Sequence, residues 1–203
     1  GSQASHALAI CGRPLEEITI SGNGVTIVDD DTTPSTADHT GFGNVFLSGG
    51  TLTRTFTINS SGFRSLNLTG TPKVEIGGVN ASDFTVIMQP ASPLVPFTGV
   101  STFQISFDPS VLGSRNATVS IVNNDGVRNP YNFNIQGTCI NAPAFVYNSA
   151  ADVPLTTSSV VLSGDASLTL NFAPMPGTNL TMVKNTGTAF IQGSFTMPMP
   201  QGR

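Results

Sequence analysis

Apolar and polar residues alternate with a period of two along most of this chain, and no stripe of helical period interrupts them. Ile18 and Ile20 alternate with Glu17 and Thr19, Gly22-Asn23-Gly24 turns the chain, and Val25 and Ile27 resume the pattern. Leu52, Phe56 and Ile58 share a face opposite Thr53, Thr55 and Thr57, and Leu66 and Leu68 flank Asn67. Phe84, Val86 and Met88 alternate with Thr85 and Ile87, and Phe103, Ile105 and Phe107 with Gln104 and Ser106. Ala117, Val119 and Ile121 alternate with Thr118 and Ser120, then Tyr131, Phe133 and Ile135 with Asn132, Asn134 and Gln136. Each run predicts a strand with one buried face, because successive side chains of a strand point to opposite sides.

Turn signals separate these runs. Asn123-Asn124-Asp125-Gly126 predicts a hairpin with Asp-Gly at positive φ. Residues 29–43 are polar and read as one long loop, with Gly41-Phe42-Gly43 as a turn inside it. The three prolines between Pro90 and Gly99 predict a connection rather than a paired strand. Short strands with frequent turns predict an all-β, immunoglobulin-like antiparallel β-sandwich over residues 15–140. Its expected core holds Phe56, Ile58, Leu66, Leu68, Phe84, Phe103, Ile105, Phe107, Val119, Ile121, Phe133 and Ile135.

Residues 1–14 read as a tag remnant and linker. Residues 141–203 read as a second, smaller β-rich domain, with strands expected at 145–147, 159–162, 168–172, 180–183 and 190–195. A segment of that size with few aromatics makes a marginal core. It either leans on the first domain or stops before its last strands.

Composition changes the picture of the surface. Charged residues make up 10% of the chain, against about 25% in ordinary soluble domains. Lys appears only as Lys73 and Lys184, and Thr, Ser, Asn and Gly cover the outer faces. That surface predicts an extracellular or cell-surface setting. The net charge of −4 with no basic patch argues against nucleic acid, and no apolar run is long enough for a membrane-spanning helix. Cys11 and Cys139 leave three readings: one disulfide, two half-buried thiols, or contacts between neighbouring modules. Their positions before the first strand and at the end of the last favour separate thiols.

Chemistry is sparse. His6 and His39 are the only histidines, no Gly-x-Ser-x-Gly or phosphate-binding loop occurs, and Cys and His lack zinc spacing. No enzymatic activity is expected. Trp is absent, which removes the favoured platform for stacking sugars, and Tyr131 and Tyr147 read as strand residues. One cluster stands out: Asp29-Asp30-Asp31 and Asp38 share a loop with Thr32, Thr33, Ser35 and Thr36. Asp29, Asp31 and Asp38 are the candidate ligands for Ca²⁺, which takes oxygens from flexible loops. The alternative, which the residue types favour, is a turn whose carboxylates cap its own amides.

Separated motifs recur along the first domain: Gly22-Asn23-Gly24-Val25, Asp31-Thr32-Thr33-Pro34-Ser35, Phe56-Thr57-Ile58, Asn80-Ala81-Ser82-Asp83-Phe84, Phe107-Asp108-Pro109 and Ile121-Val122-Asn123-Asn124-Asp125. Together they resemble the choice-of-anchor D repeats of bacterial surface proteins, within the Hydin-like immunoglobulin group. The closing Gln136-Gly137-Thr138 carries Cys139 where the family has glycine. Residues 166–195 are similar to a segment of large secreted or autotransported bacterial proteins. The resemblance implies a non-catalytic spacer or adhesion module in a long, surface-attached chain. Its expected partners are neighbouring modules of the same chain and a surface glycan or protein. A carbohydrate-binding module and an intracellular scaffold of the Hydin-like type are the alternatives; missing Trp counts against the first, scarce Lys and Glu against the second.

Overall fold

The computed structural model describes residues 14–47, 51–141, 144–157, 161–165, 167–186 and 192–196. Nine strands build the first unit: β1 Ile18–Gly22, β2 Val25–Ile27, β3 Gly41–Phe46, β4 Leu52–Ser60, β5 Glu75–Gly77, β6 Phe84–Met88, β7 Gly99–Phe107, β8 Gly113–Ile121 and β9 Tyr131–Ile140. They form a five-stranded sheet, β2-β1-β4-β7-β6, and a four-stranded sheet, β3-β9-β8-β5. The two sheets enclose one core, so this is an immunoglobulin-like β-sandwich. Every expected core position is buried in it. Phe56 stacks on its cross-strand partner Phe103 with centroids 5.2 Å apart, and Phe42 meets both Phe84 and Phe107 edge to face. Aromatic pairs at such angles add to the burial of their area.

The structure corrects three expectations. Gly41–Phe46 is a strand, not the end of a loop, and Phe42 and Val45 are fully buried. Its burial does not alternate, because the register shifts between Gly41 and Gly43 and Gly43 adopts a φ of 79°. A bulged strand loses the period-two signal. β3 also runs parallel to β9, so its sheet is not purely antiparallel. Second, a bulge between Val86 and Met88 turns Met88 out of the core. Third, Asp125-Gly126 is not a tight hairpin. Gly126 lacks positive φ, and the loop between β8 and β9 wraps around a buried Asp125. The Asp125 carboxylate accepts bonds from the Val127 and Arg128 amides and, across the molecule, from the Ile18 amide at 3.1 Å.

That last bond fixes the polarity of the unit. The chain enters β1 beside the loop that precedes β9. β9 then runs for ten residues, about 30 Å at the rise of a strand, before the chain leaves the sandwich. Arrival and departure therefore lie at opposite poles. Cys139, near the departing end, is a free buried thiol whose pKa is pushed up by burial; Cys11 lies outside the described residues.

The second unit is built differently. Its strands are β10 Ala144–Tyr147, β11 Leu155–Thr157, β12 Val161–Asp165, β13 Ser167–Leu170, β14 Val183–Asn185 and β15 Gln192–Thr196. β10 pairs with β13, β11 with β14 and β12 with β15, each in parallel. Three strands in order are thus overlaid by three more in the same order, the arrangement of two successive coils of a parallel β-solenoid. Phe145 and Tyr147 of the first coil are completely buried. Their register partners in the second coil, Leu168 and Leu170, remain 37% and 39% exposed. β12 lies alongside β3 of the sandwich.

Candidate functional site

The acidic loop is stitched to the edge of β9, just ahead of the stretch that pairs with β3. Asp29 Oδ1 accepts from the Asn132 amide at 2.9 Å, and the Asp30 amide donates to the Asn132 carbonyl at 2.7 Å. The Asn134 amide donates to the Asp31 carbonyl at 2.8 Å, so Asp31 forms a parallel bridge beside Phe133. Asp30 sits at a φ of 63° and points to solvent, a backbone state uncommon for residues other than Gly.

The candidate calcium ligands are held apart in purpose. Asp31 Oδ1 accepts from the Thr33 amide and hydroxyl at 2.8 and 2.6 Å. Asp38 is buried and does the same for Thr40, at 3.0 and 2.6 Å. Asp29 is committed to β9. No group of three His, Cys, Asp or Glu is gathered to hold a metal among the described residues. The Asp31 and Asp38 carboxylates satisfy amides of their own turns, as short polar side chains do when they replace backbone turns.

Close backbone approach closes the loop. A Cβ on Gly41 would press into the Ser35 backbone, and one on Gly22 would collide with the Asp38 carbonyl. His39 follows at a φ of 68°. Burial, then the Arg54 charge, pushes its pKa down, against a hydrogen bond to Thr55 and the charge of Asp38. Its Nδ1 is buried without a hydrogen-bond partner among the described residues.

Two adjoining hollows flank this loop. One, of about 340 Å³, is lined by Asp30, Asp31, Thr32, Thr118, Asn132, Phe133 and Asn134. The other, of about 260 Å³, shares Thr32, Thr118 and Asn134 and extends to Pro34, Gly78, Val79, Asn116 and Gln136. Together they make a shallow groove over β8 and β9. Its floor is the polar half of the alternation whose other half is core. Sequence reasoning placed Asn132, Asn134 and Gln136 on one face; it did not anticipate that the acidic loop would wall that face into a groove, because the docking depends on pairing across about a hundred residues.

A separate buried pair is structural. Asp83 accepts from the Ser110 amide and hydroxyl and from Arg115 Nε. Burial pushes the Asp83 carboxyl up, but these bonds and the Arg115 charge outweigh it and hold its pKa below the usual range.

No family model matches the sequence, and no curated protein matches it either. Among solved structures, the chain is similar to a protein of unknown function from Porphyromonas gingivalis W83, at 18% identity and a TM-score of 0.42. That match covers 65% of this chain and 50% of the other, so this chain spans half of that relative. It is also similar to the ASH/PapD-like domain of human CEP192, at 14% identity and a TM-score of 0.40, covering 70% of this chain and 96% of that domain. A family 123 glycoside hydrolase from Clostridium perfringens matches at 11% identity and a TM-score of 0.35, over 71% of this chain and 30% of the enzyme.

Proposed function

We propose that this chain is a non-catalytic spacer and adhesion module of a large bacterial cell-surface or secreted protein. The observation that carries the reading is the separation of its poles. The chain arrives at the Asp125 loop and departs at the far end of β9, so units joined in series extend end to end rather than folding back. The second unit follows as stacked parallel coils. A surface of hydroxyls and amides with few charges suits an exposed setting. The fold by itself assigns no activity.

Replacement in the parent protein tests this. Intact cells of the source organism should bind antibodies to residues 14–141 without permeabilisation. Exchange of that unit for an unrelated sandwich of equal length should keep the distal end of the protein accessible, while deletion should hide it. Labelling that needs permeabilised cells would overturn the surface setting, and a deletion without effect would overturn the spacer role.

A further inference from the structure

We propose that the groove over β8 and β9, walled by Asp30 and Asp31, binds a short neutral oligosaccharide. This deepens the adhesion part of the proposed function by giving it a ligand class. On the groove floor the side chains pair across the strands: the Thr118 hydroxyl donates to Asn134 Oδ1 at 2.9 Å, and Gln136 Nε2 donates to Asn116 Oδ1 at 2.7 Å. Each amide has two ends, and these pairs use one of them. Asn134 Nδ2 and Asn116 Nδ2 remain as donors and Gln136 Oε1 as an acceptor, without a protein partner among the described residues.

The cross-strand bonds hold these free ends in place before any ligand arrives, which lowers the entropy lost on binding. A ligand that matches must offer donors and acceptors side by side. Neighbouring hydroxyls of a sugar do so, since each hydroxyl both donates and accepts. Asp30 and Asp31 add carboxylate oxygens at the wall, and hydrogen bonds from a hydroxyl to a charged acceptor are the stronger kind. Charge narrows the class further. No Lys or Arg lines either hollow, so a phosphate, sulfate or uronate would meet two carboxylates with nothing to offset them. At the far end Val79 is 93% exposed, and with Pro34 it offers an apolar contact to the C–H face of a sugar ring.

The length also fits. Asn132, Asn134 and Gln136 occupy alternate positions of one strand, so the floor spans about 13 Å, enough for more than one ring.

The test is binding in solution to cellotetraose, chitotetraose, mannotetraose and maltotetraose, with heparin fragments as the anionic control, followed by amide chemical shifts. Binding by at least one neutral oligosaccharide, with shifts centred on Asn116, Asn134 and Gln136, is expected. Asn134→Ala and Gln136→Ala should each weaken it about 3- to 10-fold, the value of one neutral hydrogen bond. Melting temperatures should fall only slightly, because each variant loses one cross-strand hydrogen bond on the outer face of the sheet. Gln104→Ala, on the other sheet, should leave binding unchanged. No binding at ten millimolar sugar, a preference for heparin, or affinity insensitive to the groove variants would each overturn the proposal. Binding in solution does not depend on where the protein resides, so its failure leaves the spacer reading standing, and failure of the spacer reading leaves the groove to be judged by this experiment alone.

Discussion

The sandwich and the coiled unit reach a buried core by opposite routes. In the sandwich, two sheets close over each other and every strand buries one face against a partner across the core. In the coiled unit, the strands pair in parallel, and burial passes from one coil to the next. Completion is therefore internal in the first and incremental in the second. Phe145 and Tyr147 make the whole fully buried cluster of the coiled unit among the described residues, with Phe172, Leu180, Met182 and Val183 half-covered around them. A stack buries its inner coil at the expense of the outer one, and repeat architectures gain stability with each added neighbour. A sandwich has no such outer layer.

The largest effect should come from breaking the closed core. Phe107 contacts Phe42 and Phe84 and lies against Gly137. Phe107→Ala should cost about 3–5 kcal/mol, the loss seen when a large core side chain is cut to a methyl. Phe145→Ala, equally buried, should leave the sandwich transition in place, because the apolar side chains clustered with it belong to the coils. Urea unfolding followed through the sandwich tyrosine, Tyr131, reads both. A Phe145→Ala shift as large as that of Phe107→Ala would show that the two units fold as one.

The same contrast explains what the amino-acid pattern made legible. Where a strand carries no bulge of its own, as in β7, β8 and β9, alternation alone placed Phe103, Val119 and Phe133 in the core. β3 escaped because its bulge at Gly43 puts Gly41 and Phe42, then Val45 and Phe46, on the buried side in adjacent pairs. β11 and β14 are three residues each, too short to show any period. The expected strand at 159–162 falls partly on residues outside those described, and the one at 180–183 begins later, at Val183. Parallel pairing left no local mark, because Ala144 and Ser167 meet only after a full coil intervenes. Asp29, Asp31 and Asp38 were visible as an acidic loop. Asp31 caps Thr33 and Asp38 caps Thr40 only two residues away, a local pattern of the kind the residue types offered; the bond of Asp29 to Asn132 spans about a hundred residues and is tertiary information.

A second prediction concerns acid, and it again separates the units. Burial pushes the Asp125 carboxyl up, but the amides of Val127, Ile18 and Arg128 and the Arg128 charge hold its pKa below the ordinary range. Asp83 is lowered in the same direction. A carboxyl lowered by folding stabilises fully above its unfolded pKa, near 3.9, and that contribution is lost as pH falls through the lower folded value. The sandwich should therefore keep its melting temperature down to about pH 4 and lose it steeply below. Asp125→Asn should lower the melting temperature at pH 7 and flatten the decline in acid. An unchanged acid slope in Asp83→Asn and Asp125→Asn together would remove both carboxylates from the account. In the coils Asp152 is also lowered, first by the Asn148 amide and then by the Ser149 hydroxyl, but it is not buried, so their own transition should respond less.

The smallest effect is expected at the outer coil, and it is the sharpest test of the stacking description. Leu168 stands directly beside Phe145 in the parallel ladder, yet more than a third of it remains in contact with water. A side chain that has not left water contributes little when removed, so Leu168→Ala should cost under about 1 kcal/mol. The position becomes valuable only if something covers it. Extending the chain after Thr196 with a second copy of residues 167–196 supplies a coil with the same strand order and the same spacing. If the units stack, β13 then becomes an inner strand, its outward amides gain parallel partners, and Leu168 takes the place that Phe145 occupies now. Hydrogen exchange at β13 should slow in the extended chain, and Leu168→Ala should there cost about 2–3 kcal/mol, the scale of a covered leucine. Equal costs in the two chains, with β13 amides exchanging at the same rate, would mean that the coils do not propagate and that the parallel pairs are a closed structure of their own.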